Sequence, residues 1–202
     1  MKPYEDPPSG KFLFISIDLD FWGDGNVDEM FIKKVLDRSE SVWFHVEHHY
    51  TLQEVNGPRI ASQARYLWNI DWHSDLAGWS REGISPTLNC GTWVDHVKWK
   101  CAESFLWIHP NGGCARYPCG SGRCDGMRGN AFRRKHPVWP STLHYSVQKV
   151  SRIQVPARIL GCSVILSPGY YDDSIAAGRA ETSYHHLKKY VLERRKNQNR
   201  AV

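Results

Sequence analysis

Apolar residues fall along this chain in two rhythms, and their alternation predicts an α/β fold. Residues 12–18 read Phe-Leu-Phe-Ile-Ser-Ile-Asp, an apolar, β-branched run suited to a strand buried on both faces. Residues 23–26 form a turn, and residues 27–38 then carry Val27, Met30, Phe31, Val35 and Leu36 as a helical stripe. The pattern predicts a second strand over 42–46, a helix over 59–67 and a third strand over 66–71. Residues 76–89 read as loop. Residues 104–108 are a candidate strand, 143–155 alternate as a strand does, and 162–166 are another buried run. Asp172 or Asp173 can cap a final helix reaching about residue 195, with Leu187 and Val191 facing inward. Its basic end suits a solvated helix C-terminus near the negative pole of the dipole. Residues 109–141, rich in Gly, Pro, Cys and Arg, form a long excursion. The expectation is a single domain over residues 1–202 with a mostly parallel central sheet.

Composition narrows the class. The chain has 202 residues, 41% hydrophobic and 23% charged, which fits a globular core and excludes a disordered tail. No apolar run approaches the roughly 20 residues of a membrane helix. The start, MKPYEDPPSGK, lacks the apolar region of a signal peptide, so the expected setting is cytoplasmic, with reduced thiols. A net charge of +5 permits an acidic partner without demanding nucleic acid. Nine Trp, nine Tyr and ten His point to a site rather than a scaffold. The spacing Cys114-x4-Cys119-x4-Cys124 has two readings: a zinc clip completed by Cys101 or His109, or three loop thiols.

The chemistry is concentrated at strand ends. The first strand ends in Asp18-Leu-Asp20, the second in Glu47-His48-His49 and the third in Asp71-Trp-His73-Ser-Asp75. Open α/β sheets bind ligands beyond the carboxyl ends of their strands. Residues at i and i+2 of extended chain point the same way, so Asp18 with Asp20, and Asp71 with His73 and Asp75, can each converge. Carboxylates placed after buried apolar runs need a compensating cation. Asp18, Asp20, Asp71 and Asp75 together carry −4, which two divalent ions would neutralise. Oxygen-rich ligands with one or two imidazoles suit Mn2+. Two such ions lower the pKa of a shared water and serve hydrolysis of a reluctant electrophile.

Ser16-Ile-Asp18-Leu-Asp20 resembles the S-x-D-x-D motif of the arginase and agmatinase superfamily. Asp71-Trp-His73-Ser-Asp75 resembles its D-A-H-x-D motif, and Glu47-His48 the acid-His pair of its G-G-D-H motif. The order is permuted, with S-x-D-x-D first, and the chain is short. Both features resemble the compact peptide arginases, which convert arginine side chains of precursor peptides in ribosomal natural-product pathways into ornithine. The resemblance implies a three-layer α/β/α fold and two Mn2+ per chain. It implies that Asp71 and Asp18 bridge the metals, that Asp75 and either His48 or His49 complete one, and that His73 and Asp20 complete the other. Asp75 would also orient the attacking water. Glu47 would be either a histidine's partner or the carboxylate that anchors the substrate guanidinium.

Where arginases carry a proton-transferring histidine, this chain reads Asn89-Cys90-Gly91, which leaves His96, His109 and His144 as candidates for proton delivery. Asn89 and Trp22 are candidate substrate contacts. Trp22, Trp72, Trp79 and Trp93 stand beside the motifs, as an aromatic rim for a peptide or as core. The expected partner is an arginine-containing precursor peptide, with no membrane and no nucleic acid. Small-guanidine hydrolysis and deacetylation are the rival chemistries, and a zinc or nucleic-acid module on residues 114–134 is the rival class.

Overall fold

The computed structural model describes residues 12–73, 75, 88, 91–110, 138–147 and 149–200. Among them six strands form one sheet: β1 (Leu13–Asp18), β2 (Val42–His45), β3 (Tyr66–Ile70), β4 (Ser104–Pro110), β5 (Ser141–Val147) and β6 (Gly161–Ile165). Their order is β2-β6-β1-β3-β4-β5, and every pairing is parallel. The fold is therefore α/β. From β1 the chain first moves outward to β2, then returns to place β3 on the other side of β1 and continues to β4 and β5. That reversal makes the gap between β1 and β3 a topological switch point, where a crevice opens at the carboxyl ends.

Strand parity sorts side chains onto two cores. Leu13, Ile15 and Ile17 pack with Ile32, Val35 and Leu36 of α1 (Glu29–Arg38) and with Tyr184, Leu187 and Val191 of α4 (Ser174–Arg200). Phe14, Leu67 and Phe105 pack on the opposite face with Leu52 and Val55 of α2 (Thr51–Val55) and Ile60 of α3 (Pro58–Gln63). Burying each such side chain contributes about 1.5–3 kcal/mol. Gly161 sits where Trp43 and Phe14 stack at 6.0 Å, and a Cβ there would lie 2.9 Å from the Trp43 ring. Any larger residue would push those rings apart.

The helices have local causes. Asp28 accepts the Phe31 N–H at 3.0 Å and starts α1; Asp173 accepts the Ala176 N–H at 2.8 Å and starts α4. Arg194 donates to the carbonyls of Leu36 and Asp37, satisfying the C-terminal end of α1. The basic end of α4 is thus partly spent on helix packing.

Several expectations shift. Met30 is 77% exposed and lies off the apolar stripe, which runs instead through Phe31, Ile32, Val35 and Leu36. The expected helix over 59–67 is shorter, Pro58–Gln63, and α2 precedes it unforeseen. The alternation over 143–155 resolves into β5 and a 3-10 turn at Val150–Arg152. The final helix runs on to Arg200. No helix among the described residues is long and apolar enough to cross a membrane. Most of the Gly- and Cys-rich excursion, including Cys114, Cys119 and Cys124, lies outside the described residues.

Candidate metal centre

On β1 the residues facing α2 and α3 are Phe14, then Ser16, then Asp18; on β3 they are Leu67, Asn69 and, one step past the strand, Asp71. Ser16 and Asn69 are register partners, flanked by Ser163 on β6 and Trp107 on β4. A polar rung therefore crosses the sheet one step before the carboxylates. Each member but one has a task. Ser16 Oγ lies 2.6 Å from His48 Nε2. The Asn69 amide donates to Asp71 Oδ2 at 3.2 Å and to Asp75 Oδ2 at 3.3 Å. Trp107 Nε1 donates to the Asp71 carbonyl at 3.0 Å. Ser163 Oγ is buried without a hydrogen-bond partner among the described residues.

His48 arrives from a 3-10 turn, His48–Tyr50, and is 1% exposed. Its Nδ1 faces Asp18 Oδ2 at 3.1 Å, Asp71 Oδ2 at 3.1 Å and Asp75 Oδ2 at 2.9 Å. One N–H can serve one of these oxygens well, and carboxylate oxygens that converge in this way can hold a cation. With Nε2 held by Ser16, Nδ1 is the ring atom presented for ligation. The second imidazole, His73, places Nδ1 3.4 Å from Asp20 Oδ2 and 3.8 Å from Asp71 Oδ1. Among the described residues two groups thus have metal-ligand geometry, Asp18–His48–Asp71 and Asp20–Asp71–His73, each with its ligating atoms within 4.8 Å of one another. Asp71 belongs to both and turns one oxygen toward each histidine.

The electrostatics agree with a cation-binding cluster. Burial, reinforced by neighbouring carboxylates, pushes Asp18, Asp20 and Asp75 above the usual carboxylate range, Asp20 and Asp75 strongly. Burial opposes charge on His48, but Asp75, Asp18 and Asp71 outweigh it and raise its pKa well above the ordinary value. Asp71 is held below the usual range, despite its burial, by hydrogen bonding and attraction to His48. Where carboxylates compete for protons, a divalent ion supplies the missing positive charge.

The structure distributes the candidate residues unevenly. Asp18, Asp20, His48, Asp71 and Asp75 are buried together, and His73 stands at the mouth with its side chain 35% exposed. His49 does not join them. The 3-10 turn breaks strand parity after Glu47, so the His49 ring faces Glu47 at 3.3 Å and Tyr50 instead. Glu47 is half-exposed beside it. Of the two residues expected to bridge, Asp71 alone belongs to both groups; Asp18 falls in the His48 group. Asp75 belongs to neither group, although its Oδ2 faces His48 and accepts the Trp93 indole N–H at 2.7 Å. Trp93 stacks on His48 at 4.9 Å and is fully buried, so it is core that also holds two site residues.

Trp22 and Trp72 line a cavity of about 410 Å³ with Asp24, Asp28, Asp172 and Lys149. His96 has a buried Nε2 without a hydrogen-bond partner among the described residues; His109, next to last in β4, stacks on Trp107 at 4.2 Å. Trp79, Asn89, Cys90 and the side chain of His144 lie outside the described residues.

Sequence reasoning did not single out Asn69 or Ser167. Asn69 had a signal: a lone amide inside an apolar strand, two residues before an aspartate. Ser167, whose hydroxyl donates to Asp18 Oδ2, had none. No protein-family model, curated protein or solved structure matches the chain.

Proposed function

We propose that this protein is a binuclear, Mn2+-dependent hydrolase that removes urea from arginine side chains of a peptide and leaves ornithine, the reaction of the peptide arginases its motifs resemble. The observation that carries this reading is Asp71, buried at the switch point, with one oxygen toward each of two histidine-containing ligand groups. A parallel sheet with helices packed on both faces supports the three-layer α/β/α arrangement of that superfamily.

The reaction adds water across the guanidinium carbon: R-NH-C(NH2)2+ and H2O give R-NH3+ and urea, with charge and atoms balanced. Divalent ions at the two groups supply Lewis acidity and an acidified water. Asp18, His48 and Asp71 would hold one ion, and Asp20, Asp71 and His73 the other. Asp75, fixed by Trp93 and Asn69, orients the attacking water. His73, the one ligand open to solvent, marks the side from which substrate enters. A cavity lined by Trp22, Trp72, Asp24, Asp28, Asp172 and Lys149 reaches this side only through Trp72, the neighbour of His73, and its carboxylates outnumber its one lysine.

The test is urea release by the Mn2+-loaded protein from an arginine-containing peptide, free arginine and agmatine. The peptide is expected to be turned over in clear preference. Turnover of agmatine or free arginine alone would replace the peptide reading with small-guanidine hydrolysis, and no urea from any of them would overturn both.

A further inference from the structure

Two non-glycine residues among those described hold a left-handed backbone, Asp75 (φ 54°) and Ser167 (φ 47°). L-residues keep that conformation only where their surroundings enforce it. Both are buried, and both send a side chain to the same cluster.

Ser167 lies just past β6. Its N–H donates to the Val46 carbonyl at 2.8 Å, and Leu166 N–H donates to His45 at 3.1 Å, so its backbone is tied to the segment that leads into His48. Its hydroxyl donates to Asp18 Oδ2, the oxygen that faces His48 Nδ1. Asp18 Oδ1 accepts the Asp20 N–H at 3.1 Å. These two bonds fix the plane of the Asp18 carboxylate. Glycine would adopt the same φ without strain, so the turn alone does not call for serine. The hydroxyl is what glycine lacks.

We propose that Ser167 is a positioning residue that locks the Asp18 carboxylate in its ligating orientation, and so sets the affinity of the Asp18–His48–Asp71 metal site and not that of its neighbour. The inference rests on the metal-centre reading above. Its specificity follows from connectivity: the hydroxyl bonds Asp18, which belongs to one ligand group only.

The experiment is calorimetric titration of full-length wild type, Ser167→Ala and Ser167→Gly with Mn2+, with folding followed by circular dichroism. Wild type should show two binding events. In both variants one event should weaken about tenfold while the other stays within about twofold. Glycine should melt no lower than alanine, since it frees the strained backbone while both lose the hydroxyl. Wild-type affinity in the glycine variant but not in alanine would assign Ser167 to the turn. Equal weakening of both events would make its role generally structural. Unchanged affinity in both variants would remove the role altogether. Each of these overturns the inference while leaving the metal centre standing; a wild type that binds no Mn2+ would overturn the metal centre and the inference together.

Discussion

Neighbouring residues of β1 occupy two different environments. Leu13, Ile15 and Ile17 pack into an apolar cluster with side chains of α1, α4 and the adjoining strands. Phe14, Ser16 and Asp18 point the other way, and along that face the strand turns from apolar to hydroxyl to carboxylate as it nears its end. β3 repeats the gradient as Leu67, Asn69, Asp71. The α1/α4 face stabilises the fold. The α2/α3 face also packs an apolar core, but toward the strand ends it holds buried charge at a cost that the proposed cations would offset. One strand can serve both ends because its side-chain period is two.

The comparison breaks most completely at Asp71. Asp71→Asn removes the carboxylate common to both ligand groups, so it should abolish stoichiometric binding of both metals and lower urea release by at least about a thousandfold. Retention of one tight metal, read by elemental analysis, would show the groups to be independent. Next in size is Ile15→Ala, on the other face of the same strand. It should cost about 2–5 kcal/mol in denaturant unfolding while leaving metal stoichiometry unchanged. Loss of metal in a folded Ile15→Ala protein would refute the separation of the faces.

A third effect is linked to pH. In the metal-free protein Asp18, Asp20, Asp75 and His48 have folded pKa values above their unfolded ones. Their contribution to stability is present below the unfolded values and is lost as pH rises through the folded ones. Asp71, shifted down, acts oppositely and loses its contribution in acid. The raised groups outnumber it, so the metal-free Tm should fall as pH rises from the ordinary carboxylate range toward neutrality, and Mn2+ should flatten that slope. A metal-free Tm that climbs over this range would contradict the assignment of these groups. Smallest is Ser16→Ala, beside Ile15 but facing the site. It should weaken metal binding about tenfold and shift stability by less than about 1 kcal/mol.

How much of this was legible depends on which force wrote it. The strand ends were, because a carboxylate closing a buried apolar run stands out against its surroundings, as Asp18 and Asp71 do. The choice between His48 and His49 was not: strand parity ends at Glu47, and a 3-10 turn sets the direction of each ring. Met30 shares the spacing of the apolar stripe, but α1 starts at an Asp28 cap, so the stripe is set by Phe31 and Ile32 and Met30 falls on the solvent side. Helix α2 is five residues long, too short to show a period. Ser167 depends on a backbone angle and a contact with a residue 149 positions away, and neither leaves a trace in local sequence.

The central claim is that two cations share the carboxylate of Asp71. Electron paramagnetic resonance of the protein loaded with two equivalents of Mn2+ tests it directly. Shared ligation predicts an exchange-coupled signal that collapses in Asp71→Asn. The hyperfine pattern of isolated Mn2+ in the wild type at full loading would contradict it.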